Sequence, residues 1–362
     1  MKALILALAT ALPQFSVDQS DLAKKIINLL SLDSKTAQHI DNLYNKTQIK
    51  KRYSILKDIQ PDCNDGDFFN EDFLNNIPST EKRNEIYITE APKLALKAAQ
   101  EVLKKWNRDP KEITHIISVS CTGIMAPGIE FILQQDLKLA DDVQRIGINF
   151  MGCFGAFRGL AVASALAKEN SNNRILLVCT ELCSLHMQVS HRPEILIGNA
   201  LFGDGAAAVI IGAQEREQET PLWSLEKSAS YALENSQDKM TWKVSDEGLV
   251  MSLSRDVPNI IEQNAFKKIS SFLCSDNFNN YNWAVHPGGK AIIEAIERSC
   301  NLNKQQTRPS WNVLADYGNM SSATFLFVLN ELINDNKQNK DVVGIGFGPG
   351  LSLEAILLGN SK

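Results

Sequence analysis

The chain reads Met151-Gly152-Cys153-Phe154-Gly155-Ala156 at the start of an apolar run, residues 156–168, whose pattern predicts a helix. Backbone amides at a helix N-terminus carry partial positive charge, so a thiol placed there loses its proton more easily and becomes a nucleophile. The glycines allow a sharp turn and let a carbonyl approach the amides. The alternative is a core cysteine, since free cysteines are among the most buried residues. The nucleophile interpretation requires partner residues for Cys153 elsewhere in the chain.

Two such partners follow later in the chain. His286 lies in Trp283-Ala284-Val285-His286-Pro287-Gly288-Gly289, at the end of an apolar strand-like run and before a helical pattern over residues 290–299. A side chain at a strand's exit reaches into a cleft while its backbone stays fixed. Asn319 lies in Tyr317-Gly318-Asn319-Met320-Ser321-Ser322-Ala323. Alone, the histidine would be interpreted as a core residue and the asparagine as a helix N-cap.

Cys, His and Asn in this order, each among glycines, are the arrangement of the thiolase superfamily. The spelling of the segments resembles the type III polyketide synthases, the chalcone and stilbene synthase family. The segments that carry the resemblance are Met151-Gly152-Cys153-Phe154-Gly155, Gly198-Asn199-Ala200-Leu201-Phe202-Gly203-Asp204-Gly205-Ala206-Ala207-Ala208, His286-Pro287-Gly288-Gly289, Gly318-Asn319-Met320-Ser321-Ser322-Ala323 and Gly346-Phe347-Gly348-Pro349-Gly350-Leu351. With weaker matches, the resemblance runs from about residue 46 to residue 357. Where the sequence differs from plant members of the family, it is more similar to bacterial members.

Apolar runs of strand length alternate with helical patterns, which predicts α/β layers with helices packed on sheets. The predicted strands include 115–119, 174–179, 206–211 and 342–345, and the predicted helices include 91–106 and 160–168. The resemblance implies a thiolase-like fold, a duplicated five-layered αβαβα arrangement. We expect an N-terminal half, residues 1–213, with the nucleophilic cysteine, and a C-terminal half, residues 222–362, with the histidine and asparagine. Gly203-Asp204-Gly205 and Gly348-Pro349-Gly350 each precede an apolar strand, which agrees with duplication.

Three other segments have their own interpretations. The polar stretch 214–219 is predicted to link the two halves, and the acidic, irregular stretch 65–80 is predicted to be a surface loop. The N-terminal run 3–12 resembles a short signal sequence, but it also fits a buried first strand that ends before Pro13. We favour the strand, because the family resemblance implies one there.

The resemblance implies a reaction as well as a fold. Cys153 would accept an acyl group from an acyl-CoA starter, and malonyl-CoA would lose carbon dioxide and attack that acyl group. His286 would pair with the thiolate as an imidazolium, and His286 and Asn319 would donate hydrogen bonds to the enolate oxygen. Repeated extension and cyclisation would give a pyrone, resorcinol or phloroglucinol-type ring. We expect no metal and no redox cofactor, and the resemblance implies a homodimer.

The resemblance also assigns residues around the substrate. Phe202 matches the family's gatekeeping phenylalanine, and the second gate position, usually also Phe, falls on Met251. Further cavity positions fall on Cys121, Glu181, His186, Trp242 and Ser321, with Gly348, Pro349 and Gly350 as a backbone wall close to the acyl chain. Ala126 replaces a methionine that crosses the dimer interface in plant members, which leaves cross-subunit lining of the cavity open.

The basic stretch Asn45-Lys46-Thr47-Gln48-Ile49-Lys50-Lys51-Arg52-Tyr53 has two interpretations. It is either a solvated helix face or a clamp on the phosphates of CoA. Lys46 matches a CoA-binding lysine of the family, whereas two further cationic positions of plant members fall on His39 and Asn42.

Composition excludes several classes of protein. A formal charge of −5 argues against a dedicated nucleic-acid binder, and no run reaches the roughly 18 apolar residues of a membrane span. The seven cysteines have no spacing typical of a disulfide framework or a zinc site, so a reducing, cytoplasmic setting fits best.

Two rival functions stay open. A ketoacyl-carrier-protein synthase of the fatty-acid type shares the fold and the three residue types, but His286-Pro287-Gly288-Gly289 and Phe202 favour the polyketide synthase. A thiolase-fold scaffold without chemistry is disfavoured by the intact set of Cys153, His286 and Asn319.

Overall fold

The computed structural model describes residues 1–30, 32–63, 66, 68–69, 76–188, 193–213, 216, 219–335 and 340–360. The strands in these ranges are β1 (Ala3–Ala11), β2 (Phe15–Asp18), β3 (Lys51–Ser54), β4 (His115–Ser120), β5 (Gln144–Asn149), β6 (Arg174–Leu182), β7 (Asp204–Gly212), β8 (Trp223–Ala232), β9 (Met240–Ser245), β10 (Gly248–Leu253), β11 (Asn282–Val285), β12 (Val342–Gly348) and β13 (Ser352–Asn360). The α-helices are α1 (Gln19–Leu29), α2 (Ser34–Lys46), α3 (Thr80–Trp106), α4 (Ile129–Asp136), α5 (Gly155–Glu169), α6 (Pro193–Leu201), α7 (Val257–Leu273), α8 (Lys290–Cys300), α9 (Arg308–Tyr317) and α10 (Thr324–Asn334).

Nine of the described strands form one mixed sheet, in the order β11-β12-β13-β8-β1-β7-β6-β4-β5. The part built from residues 3–212 and the part built from residues 223–360 meet where β1 and β8 pair. Only three residue pairs form this junction, from Ala3–Leu225 to Ile5–Trp223. The sheet is therefore continuous but narrow at its centre.

The two parts of the sheet repeat one pattern. In the first, β4 runs parallel to β6, and β6-β7 and β7-β1 are antiparallel. In the second, β11 runs parallel to β12, and β12-β13 and β13-β8 are antiparallel. The strands β7 and β13, which follow the two Gly-x-Gly turns, occupy equivalent places. This repetition is the architecture expected of a duplicated fold.

Alternation along the strands builds five layers. Leu176 and Val178 of β6 pack with α3 on one face, whereas Ile175 and Leu177 pack on the other face against α5 and α10. The opposite side of that central helical layer is covered by side chains of β12 and β13, including Val342, Ile356 and Leu358. The outer face of β12 and β13 packs on α7 and α8. The order is helix, sheet, helix, sheet, helix, which confirms the predicted fold class.

The predicted elements are present, with longer bounds. The run 91–106 is the last part of α3, which begins at Thr80, and the run 156–168 lies within α5. The N-terminal run is β1, which pairs on both sides in the middle of the sheet, as the strand interpretation requires. Strand length was underestimated where polar residues such as Glu181 end a buried strand.

Parts of two predicted segments lie outside the described residues. They are 214, 215, 217 and 218 of the predicted linker and 65, 67 and 70–75 of the predicted loop. At the end of the linker, the Glu219 carboxylate accepts hydrogen bonds from the Arg174 guanidinium and the Trp106 indole. The end of the linker is thus fixed to the N-terminal half by a buried ion pair.

Candidate active site

Cys153 lies in a 3₁₀ turn, Gly152–Phe154, that leads directly into α5. Gly152 has φ +71°, and a Cβ on it would lie 2.4 Å from Cδ of Pro349, so both its conformation and its space require glycine. The turn places the thiol at the N-terminal end of the central helix. This is the position that the sequence predicts for a nucleophile.

Asn319 lies beside the thiol with its amide orientation fixed. Its Oδ1 accepts the Ser321 backbone N–H at 2.9 Å and the Thr324 hydroxyl at 3.3 Å. Nδ2 is therefore the atom that donates to the Gly288 carbonyl oxygen at 3.2 Å, and Sγ of Cys153 lies 3.8 Å from Nδ2 and 4.0 Å from Oδ1. The asparagine does supply a turn-capping acceptor, as the N-cap alternative predicts, and it also presents a donor to the thiol.

His286 reaches the same place from the end of β11. Its backbone N–H donates to Ile345 of β12 at 2.7 Å, which prolongs the parallel pairing and fixes the backbone. A Cβ on Gly288 would lie 3.8 Å from Nε2 of His286, and the Gly288 carbonyl accepts from Asn319. Both ring nitrogens are buried and have no hydrogen-bond partner among the described residues.

Burial dominates the electrostatics of these three residues, of which Cys153 is 8% exposed, His286 1% and Asn319 2%. Burial raises the pKa of the Cys153 thiol to about 11, although hydrogen bonds from Asn319 and Ser321 act in the opposite direction. Burial lowers the pKa of His286 to about 3. Burial thus favours a neutral thiol and a neutral imidazole at neutral pH, whereas the sequence predicts a thiolate–imidazolium pair.

Two connected cavities lie beside the thiol. The larger, about 40 Å³, is lined by residues that include His186, Phe202 and Met251. The smaller, about 20 Å³, is lined by residues that include Cys121, Gly152 and Ser321. Cys183, Trp242 and Leu249 line both. Six of the residues predicted to surround the substrate therefore line these two cavities.

The aromatic partner of Phe202 is Trp242. Their ring centroids are 5.6 Å apart, at 61°. Trp242 of β9 pairs with Met251 of β10 in the strand register, so the three residues are neighbours. Sequence comparison by position predicts a softer gate, because Met251 replaces an aromatic residue. In the structure, Trp242 places a second aromatic ring beside Phe202, on the strand next to that of Met251.

The buried carboxylate of Glu181 holds the segments behind the smaller cavity by hydrogen bonds. Glu181 at the end of β6 accepts hydrogen bonds from the Cys121 backbone N–H (3.0 Å), the Thr122 hydroxyl (2.9 Å) and the Ser322 hydroxyl (2.5 Å). Burial raises the pKa of Glu181, and these three donors oppose that shift. The sequence singles out Ser321, but its neighbour Ser322 bonds to Glu181, whereas Ser321 lines the smaller cavity.

The predicted backbone wall lies against the nucleophile turn. Pro349 packs on Gly152, and a Cβ on Gly348 would lie 2.3 Å from the Phe154 ring. Gly350 has φ +74°, a left-handed conformation that favours glycine. None of the three lines either cavity, and Gly348 and Pro349 instead lie against the turn that carries Cys153.

Comparisons with known proteins identify the family. The model of the chalcone and stilbene synthase N-terminal domain matches residues 1–215, and that of the C-terminal domain matches residues 224–361. The chain belongs to the chalcone and stilbene synthase family. It is an acyltransferase of the type III polyketide synthase kind, as the resemblance predicts.

Relatives and solved structures agree. This synthase is 35% identical to Type III polyketide synthase A of Arabidopsis thaliana, over 99% of this chain and 92% of that one. It is 31% identical to Probable polyketide synthase 1 of Dictyostelium discoideum, over 98% of this chain but 11% of that protein. The C-terminal type III polyketide synthase domain of Steely1, a type I/III hybrid from Dictyostelium, superposes with a TM-score of 0.90 at 30% identity, and each chain is fully covered. PKS-I of the brown alga Ectocarpus siliculosus gives 0.92 at 26% identity, covering 99% of this chain and 98% of that one.

The basic stretch of the synthase is neither a single helix face nor wholly solvated. Lys46 ends α2, is exposed, and makes no side-chain hydrogen bond or salt bridge within the described part of the chain. Arg52 is buried in β3, so it cannot be part of a surface clamp on phosphates. The periodicity of charge did not reveal this burial, because the chain leaves the helix between the two residues.

His186 joins two parts of the cavity rim. Its Nδ1 accepts the Leu249 backbone N–H of β10 at 3.1 Å, so Nε2 carries the hydrogen and donates to the Thr122 carbonyl at 2.8 Å. Burial, with a smaller contribution from the charge of Arg83, lowers the pKa of His186 to about 4, against the hydrogen bond to Thr122. The imidazole is therefore neutral, and it holds β10 on the N-terminal half.

Sequence reasoning missed several residues of the site. Cys183 lines both cavities, and Thr122, Ser322 and Leu249 hold Glu181 or His186. Cys183 directly follows β6, so its place at a strand exit was an available signal.

In the described part of the chain, no group of three or more His, Cys, Asp or Glu side chains could hold a metal ion. No described helix is long and apolar enough to cross a membrane.

We predict that iodoacetamide alkylates Cys153 at a rate that keeps rising between about pH 6 and pH 9, without a plateau. Only the thiolate reacts, and burial raises the pKa of this thiol to about 11. Peptide mass spectrometry would give the rate for each cysteine, with exposed Cys274 as the reference. A plateau below pH 7 that disappears in His286→Ala would contradict the neutral resting site and support the ion pair.

We predict that His186 makes stability pH-dependent. Its folded pKa of about 4 lies below the ordinary value near 6.5, so its contribution is complete above that value and is lost as the pH falls toward 4. Urea unfolding at several pH values should show a slope in this window that is shallower in His186→Gln by up to about 1.4 kcal/mol per pH unit. Exposed His39→Gln is the matched control, and equal slopes in all three proteins would show that His186 is not buried as described.

Proposed function

We propose that this synthase loads an acyl-CoA starter on Cys153 and extends it by repeated decarboxylative condensation with malonyl-CoA. The single observation that supports this most is the fixed orientation of Asn319, whose Nδ2 faces the buried thiol of a family member. Cyclisation would release a pyrone, resorcinol or phloroglucinol-type product.

The loading step needs a base. The neutral imidazole of His286 has buried ring nitrogens without partners among the described residues, so it is available to accept the Cys153 proton. The sulfur then attacks the thioester carbonyl, the bond to the CoA sulfur breaks, and CoA leaves as the thiol once it is protonated. The result is an acyl thioester on Cys153.

The extension step needs stabilisation of an enolate. Loss of carbon dioxide from malonyl-CoA leaves a carbanion whose charge is shared with the thioester oxygen. Nδ2 of Asn319 and a protonated ring nitrogen of His286 would donate to that oxygen. The carbanion attacks the acyl carbonyl on Cys153, a carbon–carbon bond forms, and the Cys153 sulfur leaves. Asn319 has no acidic proton, so it cannot quench the carbanion.

The chemistry proposed uses only residues of the chain and CoA thioesters, with no resident metal or redox cofactor. We propose that exposed Lys46 attracts the phosphates of CoA, since it is an unpaired cation in the described structure. We also propose a reducing, cytoplasmic setting, since the described cysteines form no disulfide with one another.

We further propose that the synthase is a homodimer built on the edge of β5. This strand pairs with β4 on one side only, and most of its residues are exposed. Phe150 (42% exposed) directly follows β5, and Ile124 (61% exposed) lies in the segment after β4, whose C-terminal end pairs with that of β5. An unpaired edge with apolar neighbours favours pairing with another copy. Phe150 also lines the smaller cavity, so the interface would lie next to the site.

The function is tested by incubating the purified protein with malonyl-CoA and a panel of starters, from acetyl to long fatty acyl and aromatic CoAs. We expect polyketide products in mass spectra, at least about 100-fold above those of Cys153→Ala, which lacks the nucleophile. Cys183→Ala, a cavity thiol with no assigned chemistry, is the matched control and should retain product formation.

The absence of polyketide product with every CoA starter would contradict this function. Turnover with malonyl on acyl carrier protein would then support the fatty-acid-type synthase. The absence of product in both assays would favour a scaffold without chemistry.

The dimer is tested with Ile124→Glu, which places a charge in the proposed interface. We expect the dimer's dissociation constant to rise at least about 10-fold, because a charge buried without a partner is costly. Val244→Glu, at an equally exposed apolar position on β9, is the control and should sediment like the wild type. A monomeric wild-type protein, or equal behaviour of both variants in analytical ultracentrifugation, would contradict the proposal.

A further inference from the structure

The carbonyl groups at the C-terminal end of α6 accept hydrogen bonds from side chains elsewhere in the chain. The last carbonyls of a helix have no partner within it and must find donors elsewhere. Here the Asn199 carbonyl accepts from Nη1 of Arg52 at 2.5 Å, and the Phe202 carbonyl accepts from the same atom at 2.9 Å. The Ala200 carbonyl accepts from the Gln19 amide at 2.8 Å. Donors from the N-terminal segment thus fix the helix end that carries the gate.

The arginine that does this is buried and makes no salt bridge within the described ranges. Arg52 is 2% exposed, its guanidinium lies over the Tyr44 ring at 5.5 Å, and the charge of Asp204 acts on it without a direct contact. Its Nε and Nη2 have no hydrogen-bond partner among the described residues, so the burial of this charge is costly. A contribution to stability therefore does not explain why an arginine is buried at this position.

The same helix end is joined to the catalytic asparagine. The Asn319 N–H donates to the Leu201 carbonyl at 2.9 Å, and the Gly203 N–H donates to the Asn319 carbonyl at 3.0 Å. These two bonds flank Phe202. The stem of Arg52 packs there too, since a Cβ on Gly318 would lie 3.2 Å from its Cδ and 2.8 Å from the Leu201 carbonyl oxygen.

We propose that Arg52 is a positioning residue that holds the gate Phe202 and the donor Asn319 in one geometry. It touches neither the thiol nor the cavity, and it acts through the backbone of residues 199–203 and 318–319. The proposal rests on the proposed function for its consequence in catalysis. One guanidinium nitrogen, Nη1, donates to both carbonyls, and the delocalised, weakly hydrated charge of an arginine tolerates this buried position better than a lysine ammonium does.

The first test is hydrogen–deuterium exchange of Arg52→Met and Arg52→Lys, a readout that does not need activity. We expect the amides of Gly203 and Asn319 to exchange at least about 10-fold faster in Arg52→Met than in the wild type, with a smaller change in Arg52→Lys. The matched control is Arg174→Met, which removes another fully buried arginine, bonded to Glu219 away from the site. It should melt at a lower temperature without faster exchange at Gly203 or Asn319.

The second test is malonyl-CoA decarboxylation without a starter. We expect kcat to fall about 10- to 100-fold in Arg52→Met, with KM changed less than about 3-fold, because a displaced donor weakens transition-state binding more than substrate binding. If Arg52→Met does not fold, Arg52→Lys carries both tests. The proposal is overturned if the folded Arg52 variants match Arg174→Met in exchange and kcat. An inactive wild-type protein would sink the proposed function instead, and the exchange data would still decide the role of Arg52.

Discussion

The orientation of one amide is the constraint on which the site depends. Asn319 uses its Oδ1 on the Ser321 N–H and the Thr324 hydroxyl, so the rest of the amide has to face the thiol and the Gly288 carbonyl. Its main chain joins residues 201 and 203 of the other half of the chain. The same residue therefore sets the donor geometry, connects the two halves and fixes the backbone around Phe202. The position of the Asn319 donor therefore depends on how the two halves of the chain pack. A shift of one half against the other would move Nδ2 away from the thiol.

Burial sets the chemistry of this site more than charge does. With the thiol and the imidazole withdrawn from water, the pKa of each moves toward its neutral form, and catalysis has to create charge only when substrate is present. The buried polar groups around them are satisfied by hydrogen bonds, as the three donors to Glu181 show. Such a network costs little once it is complete and holds one arrangement of the wall. The narrow cavities beside Trp242 follow from the same close packing.

Much of this could be predicted from the sequence, because strand and helix periods and glycine-framed Cys153, His286 and Asn319 are local patterns. The alternation of elements predicted the layers, and the order of the three residues predicted their meeting. What could not be predicted is set by tertiary contacts. Arg52 looks like part of a charged surface run, but β3 carries it inward. Trp242 becomes the partner of Phe202 only through the register of β9 with β10, and Ser322 bonds to Glu181 where the motif singles out its neighbour. Protonation states depend on burial, which no local pattern contains.

The most direct test of the account is the malonyl-CoA decarboxylation rate of Asn319→Asp. Aspartate has the same shape and still accepts the Ser321 N–H, but one of its oxygens faces the Gly288 carbonyl, so we expect a lower urea unfolding midpoint and measure the rate under conditions where the variant is folded. It lacks the Nδ2 donor and adds negative charge where the enolate forms. The account predicts that kcat of the folded variant falls by about 100- to 1000-fold. A folded Asn319→Asp protein that decarboxylates malonyl-CoA at a rate close to the wild type would contradict it.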